Sequence, residues 1–328
     1  MSDRNRELAC AEAAVRAAAR VCRSVQENLV DHASVEKRDK SPVTVADFAS
    51  QAIVCAALED ALPGDPVVGE EDAASLRSSP PELLEQVVRL VGAERGGSAP
   101  EAVLAWIDRG GSDASAPRYW TLDPIDGTKG FLRGEQYAIA LALLEDGRVT
   151  VGALGCPNLE VDGRPGALFT AVRGGPAQVR PLWDDAVPAR RIEVDAVASP
   201  SQARFCESVE SGHSNQSDSA RIAADLGIER EPVRIDSQCK YATVARGDAS
   251  IYLRLPTRAD YREKIWDHAA GALVVECAGG RVSDAFGEPL DFTHGRTLER
   301  NRGVVATSGA IHDEVIAAVA RNRDAKGD

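Results

Sequence analysis

The sequence predicts a mixed α/β protein of the α+β kind, built in layers, and three observations carry that reading. Helical stretches come first, a block of β-type segments joined by a hairpin turn follows, and strands then alternate with helices toward the C-terminus. Residues 6–27 mix charge with alanine at amphipathic spacing, and residues 46–62 form a second helical stretch that ends against Pro63-Gly64. Residues 137–145 and 148–154 flank Asp146-Gly147, a pair suited to a type I' turn, and 167–172 read as a further strand, so an antiparallel sheet is expected. Between them, 78–117 is rich in Pro, Gly and Ser; its apolar islands predict a short helix at 83–91 and a strand at 102–107 within a mobile surface excursion. From about Pro188, strands at 192–198 and 233–236 alternate with helices at 266–278 and 310–321, which predicts a second, α/β unit. At 328 residues the chain exceeds what one core organises. An N-terminal α+β domain over 1–185 and a C-terminal α/β domain over 186–328 are therefore expected.

Composition excludes several function classes. The net charge of -13 argues against nucleic acid polymers and anionic membranes as partners, while leaving room for a local basic pocket that takes a small phosphate ligand. The longest apolar run, 138–144, falls far short of the roughly 20 residues that span a bilayer. The N-terminal stretch lacks the apolar core of a signal peptide. Seven cysteines are scattered (Cys10, Cys22, Cys55, Cys156, Cys206, Cys239, Cys277), with neither metal-type pairing nor a disulfide framework, as expected of thiols in a reducing cytosol. A cytoplasmic enzyme with no evident obligate protein partner is the expectation.

The segment Trp120-Thr-Leu-Asp-Pro-Ile-Asp-Gly-Thr-Lys129 is the most informative. A short hydrophobic strand runs into a turn carrying Asp123 and Asp126; Pro124 fixes its own φ and Gly127 permits a sharp reversal, so the two carboxylates are held together. Paired carboxylates on a rigid turn suit magnesium, and two such ions about 4 Å apart can clamp both oxygens of a phosphoryl transfer. Upstream, Val67-Val-Gly-Glu-Glu-Asp72 reads as a strand end delivering Glu70. Downstream, in Lys264-Ile-Trp-Asp-His-Ala-Ala-Gly271, Asp267 opens an apolar helical stretch, where an acid also serves as an N-terminal cap.

These three segments in this order resemble the inositol monophosphatase superfamily. Within it the chain is most similar to the 3'(2'),5'-bisphosphate nucleotidases, through Ser41-Pro-Val-Thr-Val-Ala-Asp47, Gly127-Thr-Lys-Gly-Phe-Leu-Arg-Gly-Glu-Gln136, Asp236-Ser-Gln-Cys-Lys-Tyr241 and Tyr252-Leu-Arg-Leu-Pro256. The resemblance spans nearly the whole chain and implies a layered α-β-α-β-α sandwich of the inositol monophosphatase and fructose-1,6-bisphosphatase type. It implies two or three Mg2+ ions, with Glu70, Asp123 and the backbone carbonyl of Ile125 on one, and Asp123, Asp126 and Asp267 on another. Asp47 and Thr128 would activate the attacking water. On the residues alone, Thr44-Val-Ala-Asp47 also fits a capping box at the start of the second helix, and Thr128 also fits a turn hydroxyl.

The resemblance further implies a small-molecule nucleotide substrate: His213 and Ser214 near ribose and base, Ser237, Lys240 and Arg254 near the nucleotide and its 5'-phosphate, with Thr128 and Asp267 also facing the substrate. Asn215-Gln216 departs from the Ser-His of eukaryotic relatives. Arg133 and Glu135 have a plain reading as a pair that pins their loop, and His268 as a helix-terminus residue. His32, His294 and His312 belong to no constellation. The implied activity is lithium-sensitive release of the 3'-phosphate of 3'-phosphoadenosine 5'-phosphate to give AMP, also on the phosphosulfate, in sulfur metabolism. An inositol polyphosphate 1-phosphatase and a non-catalytic nucleotide sensor are the alternatives.

Overall fold

The computed structural model describes residues 3–31, 41–209, 216–256, 258 and 260–325. Helices α1 (Asp3–Asp31) and α2 (Ser41–Ala61) open the chain, and strand β1 (Val67–Gly69) follows. Helices α3 (Ala73–Arg77), α4 (Pro81–Arg95) and α5 (Pro100–Asp108) lead to β2 (Arg118–Asp126) and the short α6 (Thr128–Leu132). A meander comes next: β3 (Ala138–Glu145), β4 (Arg148–Val161), β5 (Arg164–Val172), β6 (Gln178–Pro181) and β7 (Arg190–Arg191). The remainder holds β8 (Phe205–Glu207), α7 (Gln216–Asp225), β9 (Val233–Arg234), α8 (Cys239–Ala245), β10 (Ile251–Arg254), α9 (Ala269–Cys277), β11 (Arg281–Ser283), β12 (Val304–Thr307) and α10 (His312–Asp324).

Among the described residues the strands form a seven-stranded sheet in the order β1 to β7 and a five-stranded sheet in the order β11-β12-β10-β8-β9. Helices α1 and α2 cover one face of the first sheet, α8 and α9 lie between the two sheets, and α7 and α10 cover the far face of the second. This is the expected α-β-α-β-α sandwich. The period of two along each strand builds it. In β3, Ile139, Leu141 and Leu143 enter the core under α1 and α2, while Ala138, Ala140, Ala142 and Leu144 enter the core shared with α9. In β12, Val304 and Ala306 face the inner core and Val305 the outer one. Burial on both faces explains the unbroken apolar run in β3, and burial on all sides of Ala269 to Val275 explains why that part of α9 is apolar around its circumference. No helix among the described residues is long and apolar enough to cross a membrane.

The hairpin between β3 and β4 forms as expected, with positive φ at both Asp146 and Gly147. Several other expectations are corrected. Residues 102–107 lie in a helix, α5, whose buried Val103 and Ile107 stand four apart; six residues are too few to separate that period from a strand. The 78–117 stretch is no loose excursion. Strands β1 and β2 are parallel neighbours, so the chain must cross over between them, and α4 and α5 are that crossover, packed on α2 through buried Val87, Val91, Val103 and Ile107. Residues 192–198 form no strand; the Ile192 N–H goes to the Ala177 carbonyl and the Val194 N–H to Ala278, so the segment bridges the first sheet and the end of α9. Helix α2 begins at Ser41, five residues before its expected start, which places Thr44 and Asp47 inside the helix and removes the capping-box reading. Helix α9 starts at Ala269, later than expected, because the residues before it form the turn that presents Asp267.

Candidate active site

The Asp123-Pro-Ile-Asp126 turn is built by its own side chains. The Asp123 carboxylate accepts from the Ile125 N–H at 3.1 Å, and the Ser50 hydroxyl on α2 donates to the Pro124 carbonyl at 2.9 Å. The β2–β3 register slips between Asp123 and Asp126, the irregularity that turns the second carboxylate away from the strand's plane. Gly127 has φ 89°, and a Cβ there would lie 2.8 Å from the Ser237 Cβ, so the loop before α8 seats directly on this turn.

Glu70 reaches the same place by register. Gly69 pairs with Leu122, so the residue after each is Glu70 and Asp123, side by side at the ends of parallel strands. Gln51 on α2 secures this strand end: its amide oxygen accepts from the Glu71 N–H at 3.0 Å, and its amide nitrogen donates to the carbonyls of Glu71 at 2.7 Å and Ile107 at 3.0 Å. Asp267 arrives from a turn two residues ahead of α9. Arg254 on β10 donates to it at 3.3 Å and to Glu263 at 2.7 Å.

Four carboxylates crowd one another here. Burial, then repulsion from Glu70, Asp126 and Asp267, holds Asp123 well above the usual carboxylate range. Burial and the charges of Glu71 and Asp126 push Glu70 up to about 7, partly offset by its hydrogen bond with Asp123. Asp267 is raised to about 7, chiefly by burial, against the pull of Arg254. Hard oxygen donors brought to one cavity, with Ile125 also in its lining, are residue types that could hold a divalent cation such as magnesium.

A cavity of about 430 Å3 opens over these acids, lined by Glu70, Asp123, Ile125, Asp126, Thr128 and Asp267 and also by Ser237, Lys240, Tyr252 and Arg254. Most of the expected site residues therefore meet around one space. Asp47 stands behind its wall: buried on α2, its carboxyl is held well above the usual range by burial and by the charges of Glu71 and Glu70. Thr128 is exposed at the first position of α6. Lys240 is buried, its ammonium 5.3 Å from the Tyr252 ring centroid, with its pKa lowered by burial against the attraction of Asp126. Ser237 has φ 66°, a left-handed conformation rare outside glycine, and its hydroxyl accepts from the Cys239 N–H at 3.1 Å. Arg254 lines the cavity, yet its donors are engaged by Glu263 and Asp267. His213 and Ser214 lie outside the described residues. Arg133 pairs with Glu135 at 2.6 Å and also with Asp236.

Two buried groups tie these segments together, one of them His268, which stands at the N-terminus of α9 as the sequence reading has it. The Gln238 N–H donates to Asp126, while its side chain donates to the Trp266 carbonyl at 2.9 Å and accepts from the Gly271 N–H at 3.1 Å, tying Asp126 to the Asp267 turn. His268 is fully buried; its Nδ1 meets the Tyr241 hydroxyl at 2.7 Å and its Nε2 meets Glu263 at 3.1 Å. Gln51 escaped the sequence reading, and a glutamine inside an apolar helix was the available signal: a buried amide must have partners.

Residues 3–324 match the inositol monophosphatase family. A 3'(2'),5'-bisphosphate nucleotidase from Emericella nidulans is 50% identical over 316 residues, covering 87% of this chain and 90% of the relative. The one from Schizosaccharomyces pombe is 46% identical, covering 97% and 95%. An inositol monophosphatase structure from Anabaena superposes with a TM-score of 0.64 at 20% identity, over 98% of this chain and 97% of that one. Shared fold, near-complete coverage and the acid-lined cavity together place this chain in the inositol monophosphatase family.

Proposed function

We propose that the protein is a magnesium-dependent, lithium-sensitive phosphomonoesterase that removes the 3'-phosphate of 3'-phosphoadenosine 5'-phosphate, giving AMP and phosphate, and acts on the corresponding phosphosulfate. One observation supports the reaction class: a single cavity lined by four carboxylates and by the buried cation Lys240. The nucleotide substrate is supported by the relatives at 46–50% identity, whose names specify it. A cytoplasmic setting, with two domains meeting near residue 185, completes the reading.

In this reading Glu70, Asp123 and the Ile125 carbonyl would hold one Mg2+, and Asp123, Asp126 and Asp267 would hold another. Bound magnesium neutralises phosphate oxygens and brings the pKa of a water toward neutrality. The chain's own groups do the rest. Thr128, at the first position of α6, orients the attacking water through its hydroxyl and passes its proton toward Asp47. Asp47 suits that task, because burial beside Glu70 and Glu71 makes its carboxylate a stronger base than an exposed aspartate. Lys240 and Ser237 face the phosphate that is not cut, and His213 and Ser214 the ribose and base. Arg254 lines the same cavity while balancing Asp267.

Phosphate release from 3'-phosphoadenosine 5'-phosphate, inositol 1-phosphate and inositol 1,4-bisphosphate, with Mg2+ and with or without millimolar lithium, tests the proposal. Lithium-sensitive release from the nucleotide is expected. Release from inositol phosphates alone would overturn the substrate, and no release at all would point to a nucleotide sensor.

A further inference from the structure

Glu70 follows strand β1 and Asp267 lies in the turn before α9, almost two hundred positions apart, so something must hold their backbones in register. Arg296 does so from outside the cavity wall. Its Nη2 donates to the carbonyl of Gly69, the residue before Glu70, and its Nη1 donates to the Ser112 carbonyl at 2.8 Å. The guanidinium carbon sits 4.8 Å from the ring centroid of Trp266, the residue before Asp267. The main chain around Arg296 is bound to the same turn: its carbonyl accepts from the Ile265 N–H at 3.2 Å, Thr297 bridges Lys264, and the Leu298 N–H donates to Glu263 at 2.9 Å. One side chain thus grips the neighbour of each acid.

We propose that Arg296 is a positioning residue for divalent-cation binding, fixing the Glu70 strand end against the Asp267 turn. This inference rests on the magnesium reading of the site. The geometry suits arginine and no other residue: a planar fork can donate to two carbonyls while its face lies on an indole, whereas a lysine ammonium is a point donor. The position has a second property that makes the role testable. The guanidinium is close enough to Glu70 and Asp72 for their charges to act on it. As a mere positive charge it competes with a bound cation, so removing it would tighten cation binding. As a positioning residue, its removal loosens binding. The two roles predict opposite signs.

The experiment is Mn2+ binding to the full chain, followed by loss of the free-ion paramagnetic resonance signal, for wild type, Arg296→Lys and Arg296→Met, with thermal unfolding in chelator measured alongside. Both variants are expected to bind Mn2+ about 10-fold more weakly, the usual scale for losing a partner that orients metal ligands. The Mg2+ concentration for half-maximal phosphate release should rise in parallel, while the nucleotide KM at saturating Mg2+ stays at its wild-type value. Retained charge in Arg296→Lys should not rescue binding. Wild-type affinity in Arg296→Lys, tighter binding by Arg296→Met, or loss of cooperative unfolding in Arg296→Lys would each overturn the proposal. Wild-type protein that takes up no Mn2+ would refute the magnesium reading itself, and this inference with it.

Discussion

Replacing Gln238 with leucine removes a buried amide that ties the two halves of the acidic site together. The side chain is 2% exposed and makes two hydrogen bonds, to the Trp266 carbonyl at 2.9 Å and from the Gly271 N–H at 3.1 Å. Leucine has a similar volume, so little cavity opens, and the cost is that of two buried backbone groups left unpaired. At about 1–3 kcal/mol per unsatisfied group, the loss is about 2–6 kcal/mol. The Gln238 N–H donates to Asp126 from the backbone, so that contact survives the substitution. One freed group is the Trp266 carbonyl, one residue before Asp267, so the Asp267 turn should loosen while Asp126 stays in place. Urea unfolding in chelator measures the stability term, and phosphate release against Mg2+ concentration measures the displacement of Asp267. A leucine variant within about 0.5 kcal/mol of wild type, the range of ordinary surface substitutions, would show that these bonds contribute nothing and refute the reasoning.

Asp126→Asn is expected to abolish turnover while unfolding in chelator no earlier than wild type, because it removes a charge that repels Glu70, Asp123 and Asp267; retained turnover would sink the magnesium assignment. Gly127→Ala combines a left-handed backbone with a contact 2.8 Å from Ser237, so a stability loss above the roughly 1 kcal/mol of the backbone term alone is expected, along with lowered activity as α6 shifts; calorimetry and initial rates check both. His312 is buried between the hydroxyls of Ser283 and Thr307, and burial lowers its pKa to about 4. Because the unfolded chain binds the proton more readily, its contribution is fully present above about pH 6.5 and is lost as pH falls toward 4, by up to about 3 kcal/mol at 1.36 kcal/mol per pKa unit. His312→Asn should be less stable at neutral pH and show a flatter stability profile between those limits, read from urea midpoints against pH; an unchanged slope would refute it.

The sequence by itself determined what depends on near neighbours. The hairpin at Asp146-Gly147, the apolar run of β3 and the clustered acids of the Asp123 turn follow from local dihedral preference and residue period, and all were legible along the chain. Recognisable ordered segments supplied the layered fold and most of the residues lining the cavity. Only the tertiary structure decided that 102–107 is helical, because the parallel pairing of β1 and β2 demands a crossover that no local window contains. It likewise decided that Gln51, Gln238 and Arg296 hold the acid-bearing segments, and that Arg254 is engaged by Glu263 and Asp267. The physical reason is range. Steric preference acts over a few residues, whereas a buried amide or guanidinium takes whichever partners the packed layers bring within 3 Å or so, and those lie tens to hundreds of positions away.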